Sequence, residues 1–373
     1  MGKRTNTLRH GLFGALLLAL AGPAMTAAQA QTDTPTVDAP KASAPTVIRL
    51  GVPDAAVGPR SSSGTATVDY AYVHKLFEQE FAKEGIEIRW AFFKNAGPAI
   101  NEAFANEQID VAFLGDLAAI IGESAGNETR LLAASSRGLN GYLGVVPGSG
   151  HDSLESLRGK TLGVWLGTAS HLSLDAVLAR NGYSAKDFRL ISLDGGAALA
   201  ALAAKRVDAV WSAAGMLALR NRGLAEIPLS TQGGDGTGTI AVTMLGASAF
   251  VERYPDITER LVRVVVQSAH WGSEPGNTQA VIDLLTQQTN LPKELMAQEL
   301  QGEALSRRNS PLLDDYFLKH LQYGANAALE AQLIRTPVDV QRWAEPRFLA
   351  QALKELDLQN YWPQREAYVD PWH

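Results

Sequence analysis

From Val47 onward the chain alternates short patches of β-branched and aromatic residues with stretches of helical periodicity, and this alternation limits its fold more than any motif does. Val47–Val52 precedes Tyr70–Lys83, Ile86–Phe92 precedes Ala99–Asn106, and Val111–Leu114 precedes Leu117–Gly122. Strands and helices in that rhythm bury their apolar faces best as a sheet with helical crossovers, so an α/β fold is predicted. The pattern restarts after Arg137. Tyr142–Val146, Thr161–Leu166, Phe188–Ser192 and Ala209–Trp211 read as strands, separated by helices at His171–Asn181, Ala197–Lys205 and Met216–Arg220. Thr239–Leu245 reads as a strand returning to the first region, and the chain beyond Ala247 as mostly helical. Leu312–Leu333 has the spacing of a packing helix, with Trp343, Trp362 and Trp372 anchoring the tail.

Two segments echo one another. AINEAFANEQIDVAFLGDL, Ala99–Leu117, and LAALAAKRVDAVWSAAGML, Leu199–Leu217, share a helix, a polar turn, Ile or Val, Asp, a short apolar strand and a small-residue turn. Any βα unit has this outline, but one copy in each half suggests two similar lobes.

The first thirty residues differ in kind. Lys3, Arg4 and Arg9 precede the apolar run Leu12–Ala21, and Ala28-Gln29-Ala30 supplies an A-x-A cleavage pattern, so residues 1–30 read as a secretory signal peptide cleaved near Ala30. Gly22 and Pro23 break the run short of the roughly 20 residues that span a bilayer, so no stable membrane insertion is expected. Residues 31–46, rich in Thr, Pro, Ala and Asp, read as a flexible leader. With no cysteine there is neither a disulfide framework nor a lipid-attachment site. Cleavage would take the formal net charge from −6 to −9, a balance that argues against nucleic acid, whose binders concentrate Lys and Arg.

The segment GVWLGTASHLSLDAVLARNGY, Gly163–Tyr183, runs from a strand through a small polar knot into a helix. Gly167 lets the backbone turn, and Thr168, Ala169 and Ser170 are small enough for a ligand to reach the first free N–H groups of the helix. Those amides and the helix dipole favour an anion. The hydroxyls of Thr168 and Ser170 and a ring nitrogen of His171 would add donors; alternatively Thr168 or Ser170 caps the helix and satisfies the same amides. Similar loops occur at Gly97-Pro98 and at Gly115-Asp116, where the carboxylate reads as a helix cap. Another spans Arg60 to Gly64, with Ser62 and Ser63. All four belong beyond the carboxyl ends of strands, where open α/β sheets bind ligands.

The order and spacing of GPAINEAFANEQIDVAFLGD, SSRGLNGYLGVVPGSG, SLESLRGKTLGVWLGTASHLSLDAVLARNGYSAKDF and Val207-Asp208-Ala209 resemble the aliphatic sulfonate, taurine and nitrate group of ABC-transporter substrate-binding proteins. The resemblance is strongest from Gly97 to Leu219 and implies a type II periplasmic binding protein, two α/β lobes joined by two crossover segments and closing like a clamp. Lobe one would hold 47–136 and 238–373, and lobe two 137–237. The resemblance also implies ligand contacts at Gly97 and Pro98, at Gly115 and Asp116, and at Gly167, Thr168, Ser170 and His171. Where many relatives carry an aromatic-Asp-Pro segment, this chain has Trp211-Ser212-Ala213-Ala214-Gly215, which implies a more open and less acidic pocket floor. Trp211 and Ser212 are expected at that floor, with Trp211 or Phe93 over an apolar tail. Asn140 at the first crossover and Thr237 at the second complete the expected ligand set with Ser62 and Ser63.

The sequence contains no GxSxG, HExxH, CxxC or Walker A motif, and its histidines, at 10, 74, 151, 171, 270, 320 and 373, are not spaced as a metal pair. No catalytic residue, metal or cofactor is therefore expected. GGDGTGT, Gly233–Thr239, precedes a strand and not a helix, which disfavours a dinucleotide loop. The expected function is a periplasmic receptor, working as a monomer, that captures a small organic anion, a sulfonate or sulfate ester, and delivers it to the membrane subunits of an ABC permease. The alternatives are an enzyme on the same fold acting on a pyrimidine-type metabolite, with His171 as its sole candidate group, and a sensing receptor for a membrane kinase.

Overall fold

The structure, a computed structural model, describes residues 44–56, 59–365 and 368–373; the expected signal peptide and nearly all of the expected leader lie outside the described residues. The described residues form one compact unit. Its strands are β1 (Val47–Pro53), β2 (Glu87–Phe93), β3 (Val111–Gly115), β4 (Thr129–Leu139), β5 (Tyr142–Val145), β6 (Thr161–Val164), β7 (Arg189–Ser192), β8 (Ala209–Ser212), β9 (Glu226–Ser230) and β10 (Ile240–Ala247). They form two five-stranded sheets, in the orders β2-β1-β3-β10-β4 and β7-β6-β8-β5-β9. In the first, β1 pairs in parallel with β2 and β3, while β10 runs antiparallel to β3 and β4. In the second, β6 pairs in parallel with β7 and β8, while β5 runs antiparallel to β8 and β9. The chain passes from one sheet to the other between Leu139 and Tyr142 and returns between Ser230 and Ile240.

Helices over the first sheet and at its start are α1 (Ala66–Val73), α2 (Leu76–Phe81), α3 (Ala96–Ala105) and α4 (Asp116–Ser124); the middle of the chain supplies α5 (Ala169–Arg180), α6 (Gly195–Ala203) and α7 (Gly215–Asn221). The remainder is helical: α8 (Ser248–Arg253), α9 (Pro255–Ser273), α10 (Thr278–Thr289), α11 (Lys293–Glu299), α12 (Leu305–Arg308), α13 (Asp315–Glu330), α14 (Val340–Trp343) and α15 (Arg347–Glu355). Period-two alternation explains how each sheet is covered on both faces. Val111 and Phe113 join the apolar layer of α1, α9 and α15, while Ala112 and Leu114 join that of α3, α4 and α13. In the second sheet Ala209 and Trp211 face α5, and Val210 faces the layer of α6 and α7.

The two echoing segments become α3-β3-α4 and α6-β8-α7, each placing the third strand of a parallel trio beside an antiparallel neighbour. Three elements depart from expectation. The predicted helix at 70–83 is two helices, because Lys75 adopts a left-handed conformation (φ 53°). Strand β4 was hidden by its small residues, AASSRG, and β9 by a proline within EIPLS. Proline suits β9 because it is an edge strand, paired only to β5. Among the described residues no helix is long and apolar enough to cross a membrane.

Candidate functional site

Parallel pairing brings the carboxyl ends of β1, β2 and β3 to one end of the first sheet, and those of β6, β7 and β8 to one end of the second. The turn that follows β3 meets the one that follows β6. A Cβ built on Gly115, which ends β3, would lie 2.8 Å from Ala169 Cβ and 3.8 Å from Ala169 N, so the glycine allows the start of α5 to approach β3.

Helix α5 is the element that joins the two halves. Leu172 packs into the layer between the first sheet and α13, while Leu174, Val177 and Leu178 pack under the second sheet. Its N-cap is Thr168, extended at φ −115° and ψ 172°, yet its side chain makes no capping bond. The Thr168 hydroxyl instead donates to the Trp165 carbonyl at 2.7 Å. Among the described residues the Ala169 and Ser170 amides therefore have no acceptor, whereas the His171 amide reaches the Thr168 carbonyl. First-turn amides without an acceptor carry the positive end of the helix dipole and suit an anion. Gly167, at φ 75°, makes the turn that presents them.

His171 is buried, and its Nδ1 accepts from the Gly167 N–H at 3.4 Å. That bond fixes the neutral ring with its proton on Nε2, which faces Asp175 Oδ2 at 3.6 Å. Burial lowers the His171 pKa, and burial pushes that of Asp175 up to about 7.

The other helix starts differ in what fills them. Asp116 is the first residue of α4 and not its cap, which is Gly115. Its buried carboxylate accepts from the Leu117 N–H at 2.7 Å and the Ala241 N–H at 3.1 Å, and bonds His320 Nε2 at 2.8 Å. These contacts engage both oxygens of the carboxylate. Asp194 caps α6 by accepting from the Ala197 N–H at 2.8 Å. Helix α3 has no side-chain cap, and its first residue, Ala96, is held at φ 46° between exposed Asn95 and buried Gly97. Gly97 serves packing: a Cβ there would lie 2.3 Å from Ala118 Cβ, so the glycine lets α3 and α4 touch.

The serine knot folds onto a buried acid. The Ser62 hydroxyl donates to Asp69 Oδ2 at 2.5 Å, the Ser63 N–H donates to Asp69 Oδ1 at 2.7 Å, and the Ser63 and Thr65 hydroxyls are 2.9 Å apart. Burial outweighs these bonds and pushes the Asp69 pKa up to about 6. Ser62 is fully buried, while Ser63 keeps partial exposure. Lys94, after β2, pairs with Asp54 at 2.9 Å with its own side chain 70 % exposed, so a solvent-facing cation stands beside the same loop.

The crossovers are tied by groups that the sequence placed at the ligand. Asn140 is buried. Its amide donates to the carbonyl and Oε1 of Glu299, both at 3.3 Å, and its oxygen accepts from the Thr231 hydroxyl at 3.2 Å. Glu299 also accepts from Tyr142 at 2.5 Å and pairs with Arg308 at 2.8 Å. Glu299 lies 159 residues from Asn140, and no local signal pointed to it. Trp211, 2 % exposed, lies under the first crossover, where its ring would meet a Cβ on Gly141 at 2.2 Å, and its Nε1 donates to Ser173 at 3.0 Å. The Ser173 hydroxyl in turn donates to the Gly238 carbonyl. Alternation sends Trp211 to the α5 face and leaves half-exposed Ser212 on the other. The Thr237 N–H donates to Asp235 at 2.9 Å in the second crossover. The structure thus gathers Gly115, Thr168, Ser170 and His171 at the start of α5. Asn140 and Thr237 belong to the crossovers, Trp211 and Ser212 to the end of β8, Gly97 to the first turn of α3, Asp116 to that of α4, and Ser62 and Ser63 to the loop after β1. Among the described residues no group of three or more His, Asp or Glu side chains is placed to hold a metal.

Residues 80–274 match the family described as NMT1/THI5 like. The chain belongs to this family. It is 28 % identical over 285 residues, 75 % of this chain and 82 % of the relative, to a Bacillus subtilis (strain 168) protein named for binding aliphatic sulfonates. The solved periplasmic sulfonate-binding protein SsuA from Methylobacillus flagellatus KT superimposes with a TM-score of 0.76 at 28 % identity, covering 87 % of this chain and 98 % of that one. The fold is that of the periplasmic binding proteins. It also occurs in the desulfurization protein DSZB, solved with biphenyl-2-sulfinic acid, at a TM-score of 0.62 and 18 % identity over 83 % of this chain and 99 % of that one.

Proposed function

We propose that this member of the NMT1/THI5-like family is an extracytoplasmic solute receptor that captures a small organic anion, a sulfonate or sulfate ester, between its two sheets and delivers it to an ABC permease. The observation that carries the reading is the uncapped start of α5, where the Thr168 hydroxyl is turned to Trp165, the Ala169 and Ser170 amides have no acceptor among the described residues, and Ala169 lies against the carboxyl end of β3. Two fixed amides and the Ser170 hydroxyl match the oxygens of a sulfonate, and the helix dipole offsets its charge without a permanent cation. The names of the Bacillus and Methylobacillus relatives support the ligand class, the periplasm and the transporter.

Because α5 packs on both sheets, an anion on its first turn favours the arrangement in which Gly115 and Ala169 meet. Capture is then a population shift, and the closed surface is what a permease recognises. The test is a thermal-shift screen of protein stripped of ligand by unfolding and refolding, against alkanesulfonates, sulfate esters, nitrate and carboxylates. A ligand at 100 times its dissociation constant adds about 2.7 kcal/mol. Stabilisation by a sulfonate or sulfate ester, lost in Ser170→Ala combined with His171→Ala, supports the reading. Stabilisation only by an uncharged or cationic compound overturns it.

A further inference from the structure

The ring nitrogen nearest the open turn of α5 has its lone pair, and not a proton, directed at the Gly167 amide. Protonation would reverse this. An Nδ1–H and the Gly167 N–H would then stand side by side as two donors, an arrangement that an anion in front of the turn reconciles by accepting from both. On the far side of the ring, Nε2 is 3.6 Å from Asp175 Oδ2, while Asp175 Oδ1 is buried with no partner among the described residues. Asp175 therefore depends on His171 for compensation of its charge, and an imidazolium there would have a carboxylate behind it and an anion in front.

We infer that His171 and Asp175 together hold the single proton that balances a captured anion, so that capture above neutral pH draws one proton from solvent. This deepens the proposed anion site and rests on that reading. Below about pH 7 the Asp175 carboxyl is protonated beside a ring that already carries its proton on Nε2; as the anion binds, the carboxyl gives up its proton and Nδ1, on the opposite side of the ring, gains one, so none is exchanged net with solvent. Above about pH 7 the pair is a carboxylate and a neutral ring, and forming the imidazolium takes a proton from water or buffer. Affinity is then level on the acid side and falls about tenfold per pH unit on the alkaline side.

Neighbouring charges leave the pair to itself. On α4, Asp116 is bonded to His320 and Glu123 to Thr129. On α13, whose Gly324 contacts Leu172, Lys319 pairs with Asp315, His320 is taken by Asp116, and Tyr323 rests against Tyr368. Strands β6, β8 and β10 contribute no titratable side chain. Arg180 at the far end of α5 pairs with Asp235 of the second crossover.

The test is calorimetric titration of the full protein with an alkanesulfonate in buffers of different ionisation enthalpy, from about pH 6 to about pH 9. The expected result is proton uptake near zero at the acid end, approaching one per ligand at the alkaline end. Asp175→Asn and His171→Gln should each lose that uptake, a readout that a purely structural role would not move. Wild-type binding without uptake at any pH overturns the inference while leaving the anion site standing, as does full uptake in Asp175→Asn. No binding at any pH removes the anion site, and the inference with it.

Discussion

Gly115 and Ala169 stand at the closest approach between the end of β3 and the start of α5, and a methyl group on Gly115 would lie 2.8 Å from Ala169 Cβ. The backbone at Gly115, φ −62° and ψ 148°, suits any residue, so only the contact requires a glycine there. Gly115→Ala is expected to leave the fold intact and to strain the closed arrangement by about 1–3 kcal/mol, the usual range for overpacking. That corresponds to a loss of ligand affinity of about five- to 150-fold, measured by calorimetry beside an unchanged circular-dichroism spectrum.

Asp69 gives the chain a pH-dependent stability whose sign follows from its burial. Its pKa in the folded protein is about 6, above the ordinary 3.8, so the unfolded chain loses this proton first and stability falls as pH rises through that window. The effect is roughly 3 kcal/mol at about 1.4 kcal/mol per unit. Asp69→Asn keeps an acceptor for Ser62 and Ser63 and should flatten this part of the dependence. Urea unfolding of both proteins between about pH 4 and pH 7 measures the difference, which vanishes if the loop does not hold Asp69 buried.

Glu299 joins both crossovers through Asn140, Tyr142, Gln232 and Arg308. Glu299→Ala strands the buried Arg308 guanidinium and should cost roughly 3–5 kcal/mol, the range for breaking a buried pair from one side. Urea unfolding would show it, with Glu299→Gln less affected because its amide oxygen still accepts.

Trp211→Phe separates a structural tryptophan from one that covers a ligand tail. Loss of the Nε1 bond to Ser173 should cost about 1 kcal/mol of stability with affinity within about twofold of wild type. An affinity loss above tenfold with unchanged melting would return Trp211 to the ligand.

Much of this fold was legible because strand and helix periodicities differ, and the echo Ala99–Leu117 with Leu199–Leu217 marked equivalent places in the two sheets. Strand β4 was not legible, since AASSRG carries too few large apolar residues to signal a strand that is nevertheless buried between β10 and its covering helices. At the site, the turn from Gly167 to His171 could be read from small residues ahead of a helix. Whether Thr168 capped that helix could not, because a hydroxyl's choice between its own helix and the Trp165 carbonyl is settled by three-dimensional geometry. The partners of Asn140 and Trp211 were not legible for a related reason: Glu299 and Ser173 come from distant parts of the chain.

The most direct test of the α5 anion site is the amide proton shifts of Ala169 and Ser170, followed by nuclear magnetic resonance during titration with an alkanesulfonate. The account expects both to move downfield and saturate together, as each N–H gains a charged acceptor. A ligand that binds while these two amides stay where they are would contradict it.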